Sequence, residues 1–118
     1  MNTIEHLTED TFEAAAHGPG LTVIDFWADW CGPCRAMAPQ FERAAALRPQ
    51  YRFAKVDVDA EPALAATYGV RSIPTLVVLR GGRPIAAQSG VVRAVQLVAA
   101  LDRLAAPVAE ATSEAEAA

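Results

Sequence analysis

The sequence has few cysteines and no long apolar run, and each shortage excludes a class of protein. Its 118 residues include only two cysteines, too few for the disulfide framework of small secreted domains. Its apolar runs are far shorter than the roughly 20 residues of a membrane-spanning helix. The N-terminal residues also lack the basic and then apolar profile of a secretion signal. We therefore expect a cytoplasmic protein without a membrane segment.

Basic residues are also scarce and scattered. The sequence has 10 Lys and Arg against 14 Asp and Glu, a net charge of −4, and Lys55 is its only lysine. Without a basic cluster, nucleic acid is not expected as a partner. Glu110, Glu114 and Glu116 lie in an alanine-rich segment, residues 107–118, for which we predict a disordered acidic tail. Residues 1–106 are predicted to form one domain, because 53% of the sequence is hydrophobic and a chain of this length can bury a core.

Hydrophobic periodicity predicts alternating strands and helices. Residues 21–27 are apolar on both alternating faces, which is typical of a central strand covered by helices on both sides, although Asp25 interrupts the run. Gly81 and Gly82 favour a two-residue turn between antiparallel strands. The pattern predicts an α/β fold with a central mixed sheet flanked by helices on both faces. The predicted helices are 8–17, about 34–47 with a kink near Pro39, 62–69 and about 92–105, and the predicted strands are 21–27, 53–58, 75–80 and 84–88.

Two cysteines three residues apart carry the chemistry. Cys31 and Cys34 are separated by Gly32 and Pro33, where the central strand has ended and a helix begins, a common position for reactive groups in α/β proteins. Positions i and i+3 of a first helical turn are close enough for a disulfide, and Pro33 is tolerated there because first-turn N–H groups have no helical acceptor. The helix dipole favours a thiolate at Cys31. Cys34, inside the helix, is expected to be less exposed.

An acid and a proline occupy positions that the pattern alone leaves open. Asp25 either lies buried in the central strand, where burial raises its pKa and suits it to exchange a proton with Cys34, or faces solvent on an edge strand without a role. Lys55, on a neighbouring strand, could offset part of the cost of burying this acid. Pro74 begins a strand. A generic X-Pro bond in a folded protein is cis in only about 5–6% of cases, which by itself predicts a trans bond.

Several segments together resemble the thioredoxin family. They are VIDFWADWCGPC (23–34), MAPQFE (37–42), KVDVD (55–59), YGVRSIPT (68–75) and the Gly81–Gly82 hairpin, and the likeness extends over about residues 2–106. It implies the thioredoxin fold, a cis Pro74 facing the cysteines, and the activity of a protein-disulfide reductase. By this resemblance Cys31 is the nucleophile and Cys34 the resolving thiol of a redox-active disulfide. Asp25 would transfer the proton, and Lys55 would modulate it.

The resemblance also implies partners and a location. Disulfide-containing client proteins are expected to bind a surface formed by Trp30, Val58, Ile73, Pro74 and Gly90. A separate thioredoxin reductase, a flavoprotein supplied by NADPH, is expected to restore the dithiol, so no cofactor is expected in this chain. The protein is expected to act as a monomer in cytosolic redox homeostasis.

The likeness has a few departures. Ser72 stands where glycine is common, and Ser89 and Val91 flank Gly90 where other small or apolar residues are usual, which leaves the partner preference open. The segment RSIPT (71–75) is similar to a thioredoxin branch that often carries a four-cysteine zinc segment ahead of the domain. This sequence contains no such segment.

Three other interpretations of the cysteine pair fit the sequence less well. A tetrahedral zinc site needs two further ligands, and only His6 and His17 remain among the histidines and cysteines. No metal site is therefore expected, and both histidines are interpreted as surface or helix-end residues. A redox-silent binding module would have no need of two cysteines. A disulfide donor for secreted proteins is disfavoured by the Gly-Pro pair between the cysteines and by the lack of an export signal.

Overall fold

The computed structural model describes residues 4–106, and a five-stranded sheet forms their centre. The strand order is β1-β3-β2-β4-β5. Strands β1, β3 and β2 run parallel, whereas β4 is antiparallel to β2 and β5 is antiparallel to β4. The predicted mixed α/β sheet is confirmed. In chain order the elements are β1 (Glu5–His6), α1 (Glu9–Ala16), β2 (Leu21–Trp27), α2 (Gly32–Leu47), β3 (Arg52–Asp57), α3 (Pro62–Thr67), β4 (Thr75–Arg80), β5 (Arg83–Ser89) and α4 (Ala94–Ala105).

Strand β2 is the centre of the core and contributes to both faces of the sheet. Its side chains alternate in direction: Val23 packs into a cluster with residues of α2 and α4, whereas Ile24 and Phe26 pack with residues of α1 and α3. Helices therefore cover both faces, as the sequence predicts. Because Asp25 and Trp27 share the parity of Val23, both lie on the face covered by α2 and α4.

Several predicted elements differ from the structure by one or two residues at their ends, and one strand was not predicted. Helix α2 begins at Gly32, two residues earlier than predicted, because Cys31 itself caps the first turn. As predicted, it continues through Pro39, which lacks the N–H that would bond to the carbonyl of Arg35; the kink expected there stays a prediction. Strand β1 was not predicted, because its two residues are polar and exposed and their extended form comes from pairing with β3.

Strand β5 forms one border of the sheet. The hairpin that leads into it is confirmed, since Gly81 and Gly82 both have positive φ, 58° and 82°, which a side chain would strain. Most of β5 is exposed. Pro84 removes one backbone donor from this strand, and the pairing with β4 shifts register between Val78 and Leu79; both are devices that discourage a further strand from adding there.

The predicted acidic tail, residues 107–118, lies outside the described residues, and the boundary at residue 106 stays a prediction. Within residues 4–106, no helix has the length and apolar character needed to cross a membrane.

Candidate active site

The cysteine pair occupies the first turn of α2. Cys31 is the N-cap of this helix, and its Sγ accepts a hydrogen bond of 3.2 Å from the backbone N–H of Cys34. The two residues form a disulfide with their Cα atoms 5.2 Å apart, inside the range that such bonds require. Pro33 lies in the first turn, where a missing N–H breaks no helical bond. Local helix geometry therefore holds the two sulfur atoms together.

The two cysteines differ in their hydrogen bonding but hardly in their solvent exposure in the oxidised state. The sequence predicts that Cys34 is less exposed than Cys31. In the structure the difference is very small, because Cys31 is 4% exposed and Cys34 is 3% exposed. The Sγ of Cys31 faces the N-terminus of α2 and receives an N–H donor, as the oxygen of an ordinary N-cap residue does. A negative charge on this sulfur is therefore favoured by the hydrogen bond and by the helix dipole.

Asp25 is fully buried in the central strand. It is paired with Lys55 of β3 on one side and with Leu76 of β4 on the other. Neither carboxylate oxygen has a hydrogen-bond partner within the described residues. Loss of solvation raises the pKa of Asp25 to about 6, and the positive charge of Lys55 offsets part of this rise. The interpretation of Asp25 as a solvent-facing residue on an edge strand is thus wrong.

The strand face places Asp25 beneath the beginning of α2. Val23, two residues before it, packs in the same cluster as Met37 of α2. Trp27, two residues after it, packs against the cluster that contains Cys34. Asp25 lies between these two neighbours on the same face of β2. Its carboxyl group, whose pKa is raised, therefore lies on the same side of the sheet as the disulfide.

Trp27 contacts both Lys55 and His6 through its indole ring. The Nζ atom of Lys55 lies over the indole of Trp27, 4.6 Å from the ring centroid. The ring of His6 meets the same indole edge-on, with centroids 6.2 Å apart. His6 is exposed on β1 and pairs with Lys55 in the sheet register, so it lies at the surface, as expected, but on a strand. The contact between Lys55 and Trp27 was not predicted. The only sign of it in the sequence is that Trp27 ends the buried strand next to that of Lys55.

The segment before β4 lies against the cysteines. The Ile73–Pro74 peptide bond is cis, as the resemblance implies and against the generic expectation. The carbonyl oxygen of Ile73 is 3.7 Å from the Sγ of Cys31. Thr75 anchors this segment, because its hydroxyl donates a hydrogen bond of 2.6 Å to the carbonyl of Ser72.

Gly90 and Val58 complete the same surroundings. The N–H of Gly90 donates a hydrogen bond of 2.9 Å to the carbonyl of Pro74, and its φ of +90° favours glycine. Val58 and Ile73 are half-buried and pack against the two cysteines and Ala28. Of the residues predicted to bind clients, Val58 and Ile73 thus pack against the disulfide, and Pro74, next to Ile73, is bonded to Gly90.

Trp30 directly precedes the cysteine pair and is the most exposed large apolar residue of the described part of the chain, at 67%. Its indole N–H donates a hydrogen bond of 2.7 Å to a carboxylate oxygen of Asp59. The loop after β3 therefore fixes an otherwise free side chain. Asp59 was not singled out from the sequence, because a carboxylate in a loop gives no sign of which donor it meets.

Comparison with known proteins agrees with this geometry. The sequence model of the Thioredoxin family matches residues 3–103. The chain belongs to the thioredoxin family. It is 40% identical to a thioredoxin of Allochromatium vinosum over 86% of this chain and 96% of that protein. It is 44% identical to thioredoxin C-3 of Corynebacterium nephridii over 82% of this chain and 68% of that protein. The crystal structure of Malassezia sympodialis thioredoxin superposes with a TM-score of 0.81 at 33% identity, covering 90% of this chain and 94% of that one.

Family membership and the Cys31–Cys34 disulfide together establish the reaction type. The protein is a thiol–disulfide oxidoreductase and belongs to a family of protein-disulfide reductases. Members of the thioredoxin family bind no cofactor themselves, and in general they act on disulfide-containing client proteins and are served by a thioredoxin reductase. Within residues 4–106, no group of three or more His, Cys, Asp and Glu could hold a metal ion.

Proposed function

We propose that the protein reduces client disulfides in the cytoplasm, with Cys31 as the nucleophile and Cys34 as the resolving thiol. The observation that carries this assignment is the hydrogen bond from the Cys34 N–H to the Sγ of Cys31 at the start of α2. Of the two sulfur atoms, the one that caps the helix is the one whose anion the backbone stabilises. Cys34 lies within the first turn and is held ready for the second step.

The first step is attack on the client. The Cys31 thiolate bonds to one sulfur of the client disulfide, and the other client sulfur leaves as a thiolate that takes a proton from solvent. The product is a mixed disulfide between Cys31 and the client. Holding the client disulfide in line with the attacking sulfur contributes most of the rate enhancement. Lowering the thiol pKa contributes less, because the intrinsic reactivity of a thiolate falls as it becomes easier to form.

The second step releases the client. Cys34 loses its proton and attacks the Sγ of Cys31, and the second client sulfur leaves as a thiolate. The client has then gained two electrons, and the protein carries the Cys31–Cys34 disulfide. Asp25 accepts the proton of Cys34, because a carboxyl with a pKa of about 6 is mostly ionised at pH 7 and still basic enough to act. Lys55 modulates this acid through its charge.

The client segment binds across the partly apolar surface beside the disulfide. Trp30 supplies exposed aromatic area at one side, and Val58 and Ile73 supply apolar contacts at the other. Backbone groups of the segment from Ile73 to Pro74 and of Gly90 offer sequence-independent pairing to an extended client. Such recognition suits a reductant of many different proteins.

A flavoprotein reductase supplied by NADPH restores the dithiol, and the protein acts as a monomer. The borders of the sheet support the monomer, because β1 has only two residues and β5 carries Pro84. Neither border offers a long regular edge for pairing between copies. No membrane association is proposed.

A trapping experiment tests the division of labour between the cysteines. With Cys34→Ser, the mixed disulfide cannot resolve, so Cys31 should accumulate client adducts that dithiothreitol releases. Cys31→Ser is the matched control and should trap far less. Equal trapping by both variants, or none by Cys34→Ser, would reject the assignment. Equilibration of the wild type with glutathione at a strongly oxidising potential would instead assign a disulfide donor.

A further inference from the structure

Lys55 and Asp25 are neighbours that do not pair directly. They face each other in the register of β3 and β2, and they lie on the same face of the sheet. The carboxylate oxygens of Asp25 nevertheless have no hydrogen-bond partner in the described part of the chain. The Lys55 ammonium lies instead over the ring of Trp27, 4.6 Å from its centroid. The cation acts on Asp25 through space without contacting it.

The indole is in the right place to divert the ammonium. Trp27 follows Asp25 by two residues on β2, so both side chains stand on the face that Lys55 shares. A Lys ammonium over an indole face is stabilised by the ring quadrupole, and this attraction is stronger when the pair is shielded from water. The ring of His6 also packs against this indole in a T-shaped arrangement.

We propose that Trp27 is a positioning residue that holds the Lys55 ammonium on its ring and thereby keeps it from forming an ion pair with Asp25. This inference rests on the proposed role of Asp25 as proton acceptor. A direct ion pair would stabilise the ionised carboxylate and make it a weaker base. With the ammonium on the indole, the carboxyl remains unpaired and able to take the proton of Cys34.

Few other charged groups face Asp25. From β4 its neighbour is the apolar Leu76, and from α2 the titratable group on this side is Cys34, which is disulfide-bonded in the oxidised protein. From β1, His6 is paired with Lys55 and not with Asp25. Lys55 is the one charged group that contributes to the pKa of Asp25. Burial sets the larger part of the pKa shift of Asp25, and among charged groups it is the position of Lys55 that a titration of Asp25 in the oxidised protein reports.

The wild-type protein allows a direct first measurement. Lys55 is the only lysine, so incorporation of ¹³C-labelled lysine gives one set of side-chain NMR signals from the oxidised protein. The ε-methylene signal should lie upfield of its position in the unfolded protein because of the indole ring current, from pH 4 to pH 8. A signal at the unfolded position would overturn the proposal, even if no variant of Trp27 folds.

Variants then test whether Trp27 acts through Lys55. The carboxyl signal of Asp25, assigned with Asp25→Asn, is titrated by ¹³C NMR in oxidised protein. With Trp27→Leu the pKa of Asp25 should fall by about one unit or more, as expected for an opposite charge in contact, whereas Trp27→Phe, which keeps an aromatic face, should stay near the wild type. Lys55→Met should raise the pKa, because it removes the cation.

The double variant Trp27→Leu/Lys55→Met separates positioning from hydration. If Trp27 acts by holding Lys55, Asp25 should titrate in the double variant as it does in Lys55→Met alone. A further fall of the pKa in the double variant would mean that loss of the indole simply admits water, and the proposal would be rejected. These measurements need no client, so their failure is distinct from failure of the Cys34→Ser trap, which tests the catalytic assignment.

Discussion

Replacing Asp25 with asparagine should make the protein more stable at neutral pH. The carboxyl has an ordinary pKa of 3.8 and a pKa of about 6 in the folded protein, chiefly because burial removes its solvation. At about 1.36 kcal/mol for each pKa unit, ionising this group costs the folded state about 3 kcal/mol. Asparagine carries no charge to bury, so Asp25→Asn should recover a gain of this order at pH 7.

The pH dependence gives the sharper test. A folded-state pKa above the unfolded one means that the folded protein holds the proton more tightly, so wild-type stability is lost as the pH rises from about 3.8 through about 6. The stability difference between Asp25→Asn and the wild type should therefore be smallest below pH 3.8 and reach its plateau above pH 6 to 7. Cys31 and Cys34 do not contribute when both proteins are kept oxidised.

Urea denaturation followed by circular dichroism at several pH values measures this difference. The oxidised wild type and Asp25→Asn are compared at pH 3.5, 5, 6 and 8, and the slope with denaturant shows whether the unfolded states remain comparable. The same substitution should slow reduction of insulin most near neutral pH, because it removes the proposed proton acceptor for Cys34. A stability difference that does not change with pH would refute the reasoning about the buried carboxyl.

Three further substitutions test other parts of the structure. Leu101→Ala empties a fully buried position between α4 and the sheet and should cost about 2–5 kcal/mol of unfolding free energy in denaturant; a loss below 1 kcal/mol would contradict the packing. Asp59→Ala frees the indole of Trp30 and should raise KM for protein disulfides about twofold to tenfold with little change in kcat, whereas an unchanged KM would show that the hydrogen bond is not used in binding. Thr75→Val removes the hydroxyl that donates to the Ser72 carbonyl and should lower stability by about 1 kcal/mol, measured by thermal unfolding, with no loss speaking against an anchoring role.

Much of the fold is predictable because it is encoded in local patterns. The double-sided apolar run of β2 predicts a central strand with helices on both faces, and the Gly81–Gly82 pair predicts the hairpin between β4 and β5. The cysteine spacing at the start of a helix predicts a pair that can form a disulfide. These features depend on residues close together in the sequence, for which period and turn chemistry are sufficient.

The remaining features depend on contacts between distant segments. Whether Asp25 is central or at an edge follows from β3 and β4 pairing on either side of β2, which the strand's own residues do not specify. The contact of Lys55 with Trp27 requires the register of two strands, and the bond between Trp30 and Asp59 requires two loops to meet. The cis bond at Pro74 follows only from the family resemblance, because the local sequence favours trans.

The sulfur that caps α2 has a consequence for the whole catalytic cycle. An N-cap needs only a lone pair aimed at the N–H of the third helical residue, and Cys31 retains lone pairs as a thiolate, in a bond to a client, and in a bond to Cys34. The sulfur can therefore accept a hydrogen bond from the Cys34 N–H at every stage of the proposed cycle. Electron transfer through Cys31 therefore does not require this backbone donor to lose its acceptor at the reactive end of α2.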